Sequence, residues 1–172
     1  PILSLRGDYL CIATIAFGLG KTIAEGGTGL RFSPKYPRKI MQLSNPDLAL
    51  KSTQKYFYAL DMNPDKFVPS VDDKVNLIRL NIQDAECDDT LQMAASIYDH
   101  ENNMIRDGFD CSGKKIITFS NVLTHGSFPL AGILDELLQL GHQAMNNPVE
   151  IEFAVDTDTT GRKLQSFYLL QI

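Results

Sequence analysis

The 172-residue chain contains no tryptophan, only three cysteines, no apolar run near bilayer length and no excess of basic charge. Each shortage excludes something. Cys11, Cys87 and Cys111 are odd in number and share no metal-ligand or redox spacing. That argues against a disulfide scaffold or a zinc module and points to a reducing, cytoplasmic setting. The apolar run from Tyr9 to Phe17 is nine residues long, far below the ~20 that span a bilayer, and no leader pattern is visible. Twenty-one acidic against 16 basic residues leave a net charge of −5. This argues against a nucleic-acid module, which usually carries a basic face, but not against phosphate ligands, which backbone N–H groups and metal ions can hold. What is present is ordinary for a globular protein: 44% hydrophobic and 22% charged residues, too apolar for a disordered chain. At this length a folded chain buries roughly 70% of its extended surface, enough for a core without staples.

The pattern along the chain predicts an α+β fold with antiparallel hairpins. Residues 9–17 read as a buried strand stopping at Gly18, and Lys21 to Glu25 as one helical turn. Pro34, Pro37 and Pro46 make 28–48 read as extended loop. Strands are expected over 54–60, 75–82, 95–98, 104–106 and 115–119, with a turn at His100–Asn103 and a helix over 84–95. The clearest helix follows Ser127, read as its N-cap. Its apolar stripe is Leu130, Ile133, Leu134, Leu137, Leu138 and Met145, and it ends near Asn146-Asn147-Pro148. Two closing strands follow, 149–156 and 164–172. Residues 1–172 read as one domain. The chain opens at Pro1 without Met and stops at Ile172 inside a strand-like run, so a piece of a longer polypeptide is expected.

Three motifs carry less than they first suggest. Gly20-Lys21-Thr22 after a strand is like the end of a phosphate-cradling P-loop, but the glycine needed five positions earlier is Ile15. The segment reads either as a glycine turn for close packing or as a different glycine loop bordering a nucleotide site. Arg6-Gly7-Asp8 is read as a chance tripeptide. Thr124-His125-Gly126-Ser127 reads as a polar loop, His100 and His142 read as exposed, and spacing assembles no Ser-His-Asp triad.

The informative pattern is carboxy-terminal. In Val149-Glu-Ile-Glu-Phe-Ala-Val-Asp156, alternation puts Ile151, Phe153 and Val155 on one face and Glu150, Glu152 and Asp156 on the other. Pairing this strand with Phe167–Ile172 by matching apolar faces sets Glu152 opposite Gln171, Phe153 opposite Leu170 and Ile151 opposite Ile172. Like charges so close call for a cation. Magnesium takes oxygen ligands from one or two carboxylates plus substrate phosphates. By pattern alone the face is either such a site or a solvated acidic surface.

Glu150-Ile-Glu152-Phe153 and Tyr168-Leu-Leu170-Gln171 resemble the end of the ATP-grasp nucleotide-binding domain of the phosphoenolpyruvate synthase and pyruvate phosphate dikinase family. Ala16-Phe-Gly-Leu-Gly20, Leu30-Arg-Phe-Ser-Pro34 with Tyr36-Pro37, Ile116-Ile-Thr-Phe119 and Phe128-Pro-Leu-Ala131 are similar to further family segments. The resemblance implies an ATP-grasp-like subdomain, mainly antiparallel sheet with packed helices, that binds ATP and Mg²⁺. Glu152 and Gln171 would hold the magnesium–ATP phosphates, and Gly18 and Gly20 would border the nucleotide. It implies a cytoplasmic enzyme whose partners are a swivelling phosphohistidine domain and a pyruvate-binding domain of the same parent chain, with no nucleic acid and no membrane. On this reading the isolated segment is inactive. His125 lacks the family's phosphohistidine context. Lys21 stands where relatives often carry an acid, the loop between the two end strands is long, and the chain ends one residue after Gln171, before the family's Arg. Two other readings are an ATP-dependent phosphotransferase on another acceptor, such as an antibiotic, and a non-catalytic interaction or regulatory module.

Overall fold

The computed structural model describes residues 11–72, 74–86, 90–108, 113–157 and 164–172. The Arg6-Gly7-Asp8 tripeptide, Cys87, Cys111, the start of the first expected strand and most of the last loop lie outside the described residues.

Among the described residues every strand pairing is antiparallel, and the strands form small sheets. β1 (Ala13–Ile15) pairs with β2 (Leu30–Phe32), and β3 (Tyr56–Leu60) with β4 (Leu77–Asn81). β5 (Ala95–Asp99) is central between β6 (Met104–Arg106) and β7 (Lys114–Ile117). β8 (Glu152–Asp156) pairs with β9 (Ser166–Gln171). The helices are α1 (Lys21–Ala24), α2 (Pro46–Ser52), α3 (Leu91–Ala94), α4 (Ser120–Leu123) and α5 (Leu130–Met145). The α+β class expected from the sequence is therefore the observed one.

Segment 28–48 departs from the extended loop expected of it. It holds β2, a 3-10 turn at Met41–Leu43 and the start of α2. Pro46 does not break α2 because it occupies the first turn, where a missing N–H costs nothing. The Asn45 side chain caps the helix by accepting the Leu48 N–H at 2.8 Å. The helix expected over 84–95 is also divided. Ile82–Ala85 is a 3-10 turn with a capping box between Asn81 and Asp84, and α3 is a separate turn.

α5 follows its apolar stripe. Leu130 and Leu134 are buried, and Ile133 packs against the same cluster. Met145, assigned to that stripe, is 59% exposed, because by the last turn the stripe has run past the core. Asn146 closes the helix at φ +50°. Val149 then folds back so closely that a Cβ on Gly141 would lie 2.7 Å from it. Ser127 is not the N-cap of α5. Pro129 holds that position, while Ser127 Oγ donates to the Asn121 carbonyl at 2.8 Å and closes the turn after α4.

Three buried clusters form the core. The largest joins Ile15, Leu30 and Phe32 to Leu123, Phe128 and Leu134. The second gathers Phe57, Ile82, Leu91 and Ile117, and the third Ala49, Tyr98 and Ile116. Phe119 packs against the first two, and Leu43 against the first and third. Two buried polar side chains stitch segments together where no strand ladder does. Gln54 accepts the Phe17 N–H and donates to the Phe17 and Tyr56 carbonyls, each at 2.8 Å. Thr53 Oγ1, at the end of α2, accepts the Ile117 N–H at 2.8 Å and donates to the Ile117 carbonyl at 3.3 Å. Among the described residues, no helix is long and apolar enough to cross a membrane.

Candidate functional site

β8 and β9 bring together the two residues singled out for cation binding. Glu152 is the cross-strand partner of Gln171, and both side chains are exposed. The route to that pairing differs from the expected one. Phe153 lies opposite Leu169 rather than Leu170, and Val155 opposite Phe167, so the strands run one residue out of the expected register along most of their length. A bulge between Glu152 and Phe153 absorbs one extra residue of β9 and restores the Glu152–Gln171 pair. The core explains the choice. Phe153 and Phe167 stack at 5.4 Å with their planes 15° apart, and both pack against the largest cluster with Ile151 and Val155. Leu170 and Ile172, which the expected pairing set opposite Phe153 and Ile151, are instead 63% and 54% exposed. Asp156 pairs with Ser166, and Glu150 precedes β8; both are exposed. Among the described residues, no three His, Cys, Asp or Glu side chains converge in a cage for a metal ion.

The glycine loop has a packing role that the sequence left open. Gly18 adopts φ +86°, and a Cβ there would lie 2.9 Å from Phe57 Cβ and 2.9 Å from the Tyr58 carbonyl. Only glycine fits that approach, and the next residue, Leu19, donates its N–H to the same carbonyl at 3.0 Å. Gly20 stands differently. It precedes α1 in ordinary right-handed conformation, with open space where a Cβ would point. Lys21 is engaged locally: Nζ lies 3.0 Å from Glu25 and 5.2 Å from the centre of the Tyr58 ring. The Tyr58 hydroxyl donates to the same Glu25 carboxylate at 3.0 Å. Hydrogen bonds from Lys21 and Tyr58 hold the Glu25 carboxyl below the ordinary glutamate value.

A second polar constellation was not visible in the sequence. His125 Nε2 lies 2.8 Å from Asp107 Oδ2, and Ser96 Oγ donates to Asp107 Oδ1 at 3.1 Å. Ser96 Oγ also lies 2.5 Å from Thr118 Oγ1, which accepts the Ser120 N–H at 3.3 Å. Burial pushes the Asp107 carboxyl up, but hydrogen bonds from His125, Ser120 and Ser96 outweigh it and hold the group below the ordinary aspartate value. Ser, His and Asp therefore do meet, although spacing did not assemble them. The order is wrong for a nucleophile, because the carboxylate stands in the middle and the hydroxyls bond to it rather than to the imidazole. Asp107 precedes β7 by half a dozen residues while His125 follows α4, so only the tertiary fold makes them neighbours. Of the other histidines, His100 is exposed as expected. His142 is half-buried near the end of α5, contrary to the exposed position expected of it.

Compared with family models, curated proteins and solved structures, the chain matches none.

Proposed function

We propose that this chain is part of the magnesium–ATP-binding domain of a phosphoenolpyruvate synthase-like dikinase, a phosphotransferase that passes a phosphoryl group from ATP towards pyruvate through a phosphohistidine on another domain. The observation that carries the reading is the pairing of Glu152 with Gln171 across the β8–β9 ribbon. A carboxylate and an amide on paired, exposed positions supply oxygen donors of the kind a hard cation takes together with substrate phosphates. Bound there, magnesium would neutralise phosphate charge during transfer. The chain's own contribution is positional. The stacked Phe153 and Phe167 anchor the ribbon to the core, and the bulge pairs Glu152 with Gln171, the two proposed ligands. Gly18 and Gly20, in the loop before α1, are proposed to border the nucleotide. ATP, the swivelling histidine domain and the pyruvate-binding domain are the partners this reading assigns.

The engagement of Lys21 with Glu25 and Tyr58 favours a second reading, a domain of this ancestry kept as a non-catalytic interaction module. Nucleotide titration of the full-length polypeptide with and without Mg²⁺ separates the two. The dikinase reading expects magnesium-dependent ATP binding, and a turnover that Glu152→Gln and Gln171→Ala each cut about 100-fold or more without unfolding the protein. Unchanged kinetics in both variants would remove the pair from the site, and absence of nucleotide binding would favour the module.

A further inference from the structure

The segment 37–44 and the turn 118–125 face each other across two adjoining cavities of about 510 and 190 Å³, which share Arg38 and Thr124 as lining residues. Arg38 and Lys39 stand on one side, and the hydroxyls of Thr118, Ser120 and Thr124 on the other. His125 lines the smaller cavity. In a chain of net charge −5, no carboxylate among the described residues lines either space. Asp107, the nearest acid in the hydrogen-bond network, turns its oxygens to His125, Ser96 and Ser120. Among the described residues Arg38 has no ion pair or hydrogen bond, whereas Lys39 rests 5.3 Å over the Tyr36 ring. Phe119 sits between two of the lining hydroxyl residues at φ +51°. A left-handed conformation costs energy in a bulky residue, and such strain gathers at ligand-binding sites.

We propose that this cleft binds a phosphoryl dianion, as free phosphate or as the phosphate of a small ester. A guanidinium without a partner offers the forked pair of N–H donors that fits phosphate oxygens. Of the hydroxyls opposite, those of Thr118 and Ser120 are held by Ser96 and Asp107, and that of Thr124 adds a neutral donor, while the half-buried Ile40 lowers the local polarity beside it. The larger cavity leaves room for an ester group beyond the phosphate itself. The site is separate from the Glu152–Gln171 pair, neither of which lines these cavities, and it stands whether or not that pair holds magnesium.

The test is a titration of the 172-residue chain with inorganic phosphate, followed in ¹H–¹⁵N spectra at constant ionic strength with chloride as the balancing anion. Saturable shifts are expected at residues 38–44 and 118–125. Arg38→Ala, at an exposed side chain, should keep the spectrum of the fold and weaken binding about tenfold or more. Arg38→Glu should abolish it, and Glu152→Gln should leave it unchanged. ATP and glycerol phosphate are then added as competitors. Displacement by glycerol phosphate assigns a small ester, displacement by ATP a nucleotide, and saturable phosphate binding that neither displaces assigns free phosphate. A response that never saturates, spreads over the surface, or is undiminished in Arg38→Ala overturns the proposal.

Discussion

Gly18 and Gly20 stand two residues apart and differ in what they tolerate. A methyl at Gly18 would meet Phe57 Cβ at 2.9 Å from a backbone at φ +86°. Gly18→Ala should therefore cost at least about 1–2 kcal/mol from backbone conformation alone, read as a lower urea midpoint at unchanged slope. Gly20→Ala meets nothing within 4 Å and should change stability by no more than about 0.5 kcal/mol. Loss of ATP binding in Gly20→Ala would then assign that position to the nucleotide, which Gly18→Ala cannot do. Asp107 gives the pH dependence. Its carboxyl is held low in the folded chain, so its stabilisation is present above the unfolded value near 3.9 and lost as pH falls through the lower folded value. The side chain is 42% exposed, which keeps the contribution small. Carboxyl ¹³C titration should show the Asp107 pKa rising towards the ordinary value in His125→Ala, and an unmoved value would exclude the imidazole as its cause.

Elements with a clear period were legible, and those decided by a single side chain were not. Aromatic-rich composition located β3, alternation β4, the turn cluster His100–Asn103 the β5–β6 hairpin, and the 3.6-residue stripe α5. β2 has three residues, too few for a pattern, and α2 was hidden by a proline whose position in the first turn is harmless. The closing ribbon was half legible. Glu152 and Gln171 do pair, but face-matching chose the wrong parity between them and the loop. Both sides of β9 are apolar enough to serve, and a bulge leaves no mark in composition. Thr53 was likewise invisible. It ends α2 and ties it to β7, so Thr53→Val should leave the Ile117 amide and carbonyl without that buried partner. A loss of about 1–3 kcal/mol is expected in chemical denaturation, and wild-type stability in that variant would show that the tie contributes nothing.

The whole molecule is assembled from sheets too small to stand alone, since an isolated two-stranded ribbon is marginal in water. Packing onto shared cores supplies what the ladders lack: β1–β2 and β8–β9 both rest on the largest cluster, and β3–β4 on the second. None of this joining was legible along the chain. The Asp107–His125 contact spans 18 positions, and that of Thr53 with Ile117 spans 64. Phe119 is the hinge-pin of the arrangement, because its ring contributes to two cores at once. Loss of either core strips part of the packing from that ring and so weakens the other, and this coupling is expected to make melting all-or-none. With no indole to dominate the emission, tyrosine fluorescence can be followed directly through heating, and its curve should superimpose on the far-ultraviolet circular dichroism curve at a single midpoint; two midpoints would mean that the cores come apart one after the other.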